Sequence, residues 1–231
     1  MTIRALSGMG CCLLWLARKV AVRIKASISG LILPPAGPVG ASGRTGQKER
    51  HMKKIGVIVG SLREGSLNRK LAEAVAGIGT DLMAFSPIEI GALPHYNDDL
   101  WSDPPADVTA FKAEIDAVDG FLFVVPEYNR NIPGFVANAL DWGSRPWGKS
   151  TWVGKPAAVM SASPGAISGA VAAQHMRMRG VALGMHVMGY PEVYMRTDGE
   201  FFSETGEIAK EDTQKFLRDW AESFAAFAEK F

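Results

Sequence analysis

Apolar residues fall along this chain in short runs separated by amphipathic stretches. Residues 55–59 form an apolar, β-branched run closed by Gly60, the pattern of a strand buried on both faces of a parallel sheet. Leu71, Ala72 and Val75 then share one stripe of a helix predicted over residues 68–76, with Gly77 and Gly79 stopping it. A weaker strand is predicted over 81–86 and a loop over 94–99. Pro104 and Pro105 open a helix with Val108, Phe111 and Ile115 inward, and a strand over 121–125 follows. Beyond a loop at 126–133 the pattern gives a helix over 134–142, a strand over 156–161, a helix over 166–183 and a fifth strand over 185–188. A closing helix over 207–231 repeats Phe216, Leu217, Trp220, Phe224 and Phe227 at three-to-four spacing. Five strands alternating with helices predict a doubly wound five-stranded parallel sheet in a three-layer α/β/α arrangement. Such a sheet binds its ligand beyond the carboxyl ends of the strands, which singles out the loops after Val59, Val125 and Met160.

The first fifty-one residues break this pattern. They hold eight Lys or Arg against the single acid Glu49, whereas the remainder carries 17 basic and 23 acidic residues. Apolar patches in 11–33 are interrupted by Arg18, Lys19, Arg23 and Lys25, too often for a membrane span. An Arg-rich targeting segment, a basic amphipathic surface helix and a disordered upstream extension compete for this head. The extension is favoured, because Met52-Lys53-Lys54-Ile55 runs a polar start straight into a buried strand. The mildly acidic body argues against nucleic-acid binding, and its lack of a long apolar run against a membrane span, so a cytoplasmic location is expected. Both cysteines, Cys11 and Cys12, lie in the head, so redox chemistry in the body requires a cofactor.

The first loop, residues 60–68, gathers Gly60, Ser61, Arg63, Gly65, Ser66 and Asn68 at the start of a helix. Free main-chain N–H groups, the helix dipole, hydroxyls and one guanidinium make a partly buried cradle for an anion. The competing reading makes Ser66 a helix cap and Arg63 a solvated side chain. A Walker lysine and the dinucleotide glycine spacing are both missing, which favours a mononucleotide phosphate. The second loop, Pro126-Glu127-Tyr128-Asn129-Arg130-Asn131-Ile132-Pro133, is stiffened by two prolines. Its aromatic face and amide suit a flat heterocycle edged by donors and acceptors. A surface turn with an exposed tyrosine is the alternative.

These two loops, together with Ser161-Ala162-Ser163-Pro164-Gly165-Ala166 after the fourth strand, recur in this order in one family. Over about residues 53–200 the chain resembles the NADPH-dependent FMN reductases, which include chromate, quinone and azo-dye reductases. The resemblance implies a flavodoxin-like fold, bound FMN, NADPH or NADH as donor, a small-molecule acceptor and assembly as a homodimer or homotetramer. It implies that Ser61, Arg63, Ser66, Leu67 and Asn68 hold the FMN phosphate and that Pro126, Glu127, Tyr128 and Asn129 line the ring. Ser161, Ser163 and Gly165 are expected near the ring's other edge, and residues 93–99 beside the cofactor. Arg145 belongs either to the pocket rim, steering anionic substrates, or to a structural ion pair, and the 134–142 helix with Trp142 and Trp147 is expected near a subunit contact. Hydride transfer would run in ping-pong order through FMN, with no catalytic acid or base from the protein. His95, His175 and His186 lack metal-ligand spacing, so no metal is expected. A flavodoxin-type electron carrier is the rival, opposed by Arg63 and the modest acidity of the body; a flavin-free domain on the same fold is the third reading.

Overall fold

The computed structural model describes residues 52–231; the basic head, read above as an extension, lies outside the described residues. The elements are β1 (Lys54–Val59), α1 (Leu67–Ile78), β2 (Ala84–Pro87), a 3-10 turn (Asp98–Ser102), α2 (Ala106–Asp116), β3 (Gly120–Val124), α3 (Gly134–Gly143), β4 (Pro156–Ser163), α4 (Ala170–Ala182), β5 (His186–Val187), β6 (Val193–Arg196) and α5 (Glu211–Ala228). All strands pair in parallel in the order β2-β1-β3-β4-β5, with β6 also beside β4. That is the doubly wound flavodoxin-like order.

Every residue of β3 is buried, as its unbroken apolar run requires of a central strand. Phe121 and Phe123 face a core completed by Val108, Phe111 and Ile115 of α2, Leu140 and Trp142 of α3, and Ala172 and Met176 of α4. Leu122 and Val124 point the other way, toward Leu71, Ala72 and Val75 of α1 and Leu217, Trp220 and Phe224 of α5. Helices therefore cover both faces, and the three layers expected from the alternation are present.

Three boundaries differ from the pattern, each for a local reason. The second strand begins at Ala84 rather than 81, because Leu82 and Met83 turn back to donate to the Gly79 carbonyl at 2.9 and 3.1 Å. The fourth helix begins at Ala170, because Ser168 and Gly169 take left-handed φ values of 53° and 80°. The last helix begins at Glu211, because Ile208 pairs back onto Phe202.

The fifth sheet position is filled in two pieces. β5 pairs with Pro156 and Ala157 of β4, and β6 with residues Met160 to Ser163. Where the two pieces meet, Arg177 of α4 donates from its Nη2 to the Val159 carbonyl of β4 at 3.2 Å. Its Nη1 donates to the Tyr194 hydroxyl at 2.7 Å, and that hydroxyl donates to Glu192 at 2.7 Å. The Tyr194 hydrogen bond, followed by Gln174 and the Arg177 charge, holds the Glu192 carboxyl below its ordinary value against the opposing effect of burial.

Candidate active site

Gly60 ends β1 by donating to the Val124 carbonyl at 2.9 Å. A Cβ there would stand 3.0 Å from Pro126 Cδ and 3.2 Å from Val125 Cα, so the bare backbone lets the first and second loops meet. Ser61 and Ser66 are both 4% exposed. Ser66 caps α1, its Oγ accepting from the Arg69 N–H at 3.2 Å, which leaves its hydroxyl proton available. Capping α1 therefore does not use up the donor that the anion-cradle reading of Ser66 requires. Leu67 and Asn68, at the first two helical positions, have main-chain N–H groups without intrahelical acceptors, and the first turn contains no acid. Arg63 is exposed rather than partly buried and forms no ion pair among the described residues. Its Nη2 lies 3.5 Å from where a Gly65 Cβ would stand, over the loop itself.

Asn68 does something its place in the motif did not announce. It is 3% exposed; its Nδ2 donates to the Ala162 carbonyl and its Oδ1 accepts from the Ala162 N–H, both at 2.9 Å. One side chain thereby closes a two-bond bracket between the first and third loops. Its oxygen is committed to that bracket, so Asn68 braces the cleft before it contacts any ligand.

Glu127 is a second brace. Gly169 has no side chain with which to cap α4, and the Glu127 carboxylate takes the task, its Oε2 accepting from the N–H groups of Val171 and Ala172 at 3.0 and 3.3 Å. Its Oε1 accepts from Arg130 at 2.7 Å. A carboxylate at a helix N-terminus is well placed against the dipole, but these contacts direct it at α4. Beyond it, residues 128–131 form a tight turn in which Tyr128 and Asn131 exchange backbone hydrogen bonds of 3.0 Å. Asn129 and Arg130 occupy its tip with φ of 52° and 64°. Tyr128 is half-exposed and Asn129 exposed.

Ser161 is fully buried, and its Oγ donates to the Ser168 carbonyl at 2.7 Å, clasping the left-handed Ser168–Gly169 corner that leads into α4. Ser163 Oγ accepts from the Gly165 N–H at 3.1 Å, which shapes the third loop and leaves the Ser163 hydroxyl proton free.

One cleft of about 160 Å³ collects Ser61, Arg63, Ser66, Leu67, Asn68, Pro126, Glu127, Tyr128 and Ser163, together with Ala162 and Pro164. Nine of the residues selected from sequence are therefore brought together; Asn129, Ser161 and Gly165 stand outside the lining, at the turn tip, in the core and in the adjacent loop. The bracing partners Ala162, Val171, Ala172 and His175 were not selected, since no local signal marks a contact that spans tens of residues; nor was Ser168, seven residues beyond its partner Ser161.

Arg145 lies elsewhere. It follows α3, whose ten residues carry the chain about 15 Å from the second loop. With Tyr96, Asp98, Trp101, Pro146 and Trp147 it lines a separate cleft of about 500 Å³. Among the described residues it has no salt bridge; its guanidinium lies over the Trp147 ring, 5.7 Å from the centroid. The 93–99 loop belongs to this cleft too, anchored on α3 by the Tyr96 N–H donating to Asn138 Oδ1 at 2.7 Å. Lys112, its amine pushed below the ordinary value by burial, holds the wall by donating to the carbonyls of Gly143, Arg145 and Lys149. Trp142 is wholly buried within its own chain, with Nε1 donating to the Pro94 carbonyl at 2.8 Å, whereas Trp147 is 88% exposed. Of the two tryptophans expected at a subunit contact, only Trp147 is therefore on the surface.

Comparison with known proteins places this geometry. The family model described as NADPH-dependent FMN reductase matches residues 53–200. Over 174 residues the chain is 45% identical to a 2-hydroxy-1,4-benzoquinone reductase of Burkholderia sp., covering 75% of this chain and 95% of that protein. It is 43% identical over 174 residues to a quinone reductase of Pseudomonas putida, covering 75% and 93%. Among solved structures, the flavoenzyme NAD(P)H:(acceptor) oxidoreductase FerB of Paracoccus denitrificans aligns with a TM-score of 0.75 at 41% identity, covering 78% of this chain and 98% of FerB. The family match takes in all three loops of the cleft and well over half of the sequence: the chain belongs to the NADPH-dependent FMN reductase family.

Proposed function

We propose that this FMN-dependent NAD(P)H oxidoreductase reduces quinones by two electrons, with the phosphate end of FMN in the three-loop cleft and its ring along the second loop. The observation that carries the reading is the convergence of three loops on one cleft whose donor set suits a phosphate. Ser61, the Ser66 hydroxyl, the Leu67 and Asn68 N–H groups and Arg63 all serve an anion, and no acid in the first turn of α1 opposes it. The cleft volume of about 160 Å³ is below the roughly 300 Å³ of the smallest ordinary ligand pockets. It suits a phosphate and the start of a sugar chain, with a flat ring lying outward against Pro126, Tyr128 and Asn129. The names of the relatives at 45% and 43% identity support a quinone as acceptor.

When bound, FMN supplies the two-electron chemistry between reduced nicotinamide and acceptor. The protein's part is placement. Asn68 fixes the phosphate loop to the end of β4, and Glu127 fixes the ring loop to α4, so the two ends of the cofactor are held by separately braced segments. The half-exposed Tyr128 leaves that side open to solvent, consistent with one face serving donor and acceptor in turn. No described helix is long and apolar enough to cross a membrane; dependence on reduced nicotinamide supports a cytoplasmic setting, and the family resemblance a homodimer or homotetramer.

Purified protein should be yellow, release FMN on denaturation, and oxidise NADH or NADPH with a soluble benzoquinone, giving parallel double-reciprocal plots as either substrate is varied. A colourless protein that binds no added FMN would overturn the reading. The separate position of Arg145 gives a second expectation: Arg145→Ala should leave the FMN dissociation constant unchanged within about twofold. A large loss would instead set the Arg145 cleft against the cofactor of another copy of the chain.

A further inference from the structure

The turn at residues 128–131 is a two-residue hairpin closed by the reciprocal Tyr128–Asn131 backbone hydrogen bonds, and few contacts tie it to the rest of the protein. Asn129 and Arg130 both have positive φ, as the two central residues of such a hairpin turn do, and Arg130 takes that conformation less readily than asparagine or glycine. Residues 129 to 131 are exposed, so packing from the solvent side is absent. Two links to α4 remain. One is Glu127, which accepts from the first N–H groups of that helix and from Arg130. The other is His175, one turn further along α4, whose Nδ1 lies 3.0 Å from Asn131 Oδ1. The same oxygen accepts from the Ile132 N–H at 2.9 Å. An atom facing a main-chain donor is the amide oxygen, so His175 Nδ1 must carry the proton and donate. α4 is itself seated by Ala172, Ala173 and Met176 in the core and by the Ser161 clasp at its entry.

We propose that His175 is a positioning residue for the reaction, holding the 128–131 turn through its Nδ1–H and so fixing where the flavin ring meets the nicotinamide; this rests on the reading that the turn borders the ring. The phosphate loop is braced independently by Asn68, so loss of the His175 bond should disturb placement of the ring rather than capture of the cofactor. Rates of hydride transfer are steep in placement, with displacements near 1 Å worth up to about a hundredfold.

The test compares His175→Ala, His175→Asn, Asn131→Ala and the double alanine variant, each as the full chain, with FMN titrated by fluorescence quenching. The asparagine variant matters because its amide nitrogen can occupy the place of Nδ1. His175→Ala should bind FMN within about threefold of wild type. It should alter the visible band of bound FMN and lower kcat about tenfold with the nicotinamide KM nearly constant. His175→Asn should recover most of kcat and the wild-type band. Asn131→Ala should match His175→Ala, and the double variant should be no worse than either, as expected of one shared bond. Should His175→Ala fail to fold, Asn131→Ala reads the same bond from the exposed turn. A wild-type band and kcat in His175→Ala, equal impairment of the asparagine and alanine variants, or additive losses in the double variant would each overturn the proposal. An active wild type with unresponsive variants removes only the role of His175, whereas a wild type that takes up no FMN removes the functional reading beneath it.

Discussion

Asn68→Ala is expected to lower the stability of the folded chain by about 2–4 kcal/mol and to weaken FMN binding at the same time. The alanine leaves the Ala162 N–H and C=O without partners in a place where the wild-type side chain is 3% exposed. Each buried group left unpaired costs about 1–3 kcal/mol. Urea denaturation followed by circular dichroism measures the first effect and flavin titration the second. Asn68→Asp should be no better, since it sets a carboxylate oxygen against the Ala162 carbonyl. Full stability in the alanine variant would show that water replaces the bracket and that the first and third loops do not depend on it.

Arg63→Ala should raise the FMN dissociation constant about tenfold while leaving riboflavin binding almost unchanged. Removing a hydrogen bond to a charged group costs about 1.5–3 kcal/mol, which is roughly tenfold to a hundredfold in affinity. The exposure of Arg63 puts the effect at the lower end, because solvent screens the charge in the wild type. Riboflavin lacks the phosphate, so it separates phosphate recognition from general damage to the cleft. Unchanged FMN affinity would take Arg63 out of the cradle. Both flavins titrated into both apoproteins by fluorescence quenching supply the comparison.

Composition and spacing made the sheet and the three loops legible, because central strands announce themselves by unbroken apolar runs such as Gly120–Val124 and helices by their periodic stripes. The sixth strand segment was not legible. Val193–Arg196 is four residues long and separated from β5 by Gly189, Tyr190 and Pro191, too short and too interrupted for periodicity to register. Site residues were legible as a set but not in their division of labour. Asn68 and Glu127 sit in the right loops, yet their principal partners lie 94 and 44 residues further along the chain. A polar side chain within a ligand motif carries no mark telling whether it faces the ligand or the next loop, and here the motif holds both kinds. The bend at Ser168 was hidden too: a serine gives no warning of a left-handed backbone, here clasped by the hydroxyl of Ser161 seven residues earlier.

The divided fifth strand has a consequence for how copies of this protein avoid one another. An exposed, continuous strand at a sheet edge is a template onto which another chain can add its own backbone. Here one edge, β2, is four residues long and ends at Pro87, whose nitrogen has no hydrogen to donate. The other edge consists of a two-residue and a four-residue piece out of line with a single ladder. An incoming strand would find no uninterrupted row of donors and acceptors on either side. Strand-to-strand polymerisation is thereby disfavoured at both ends of the sheet.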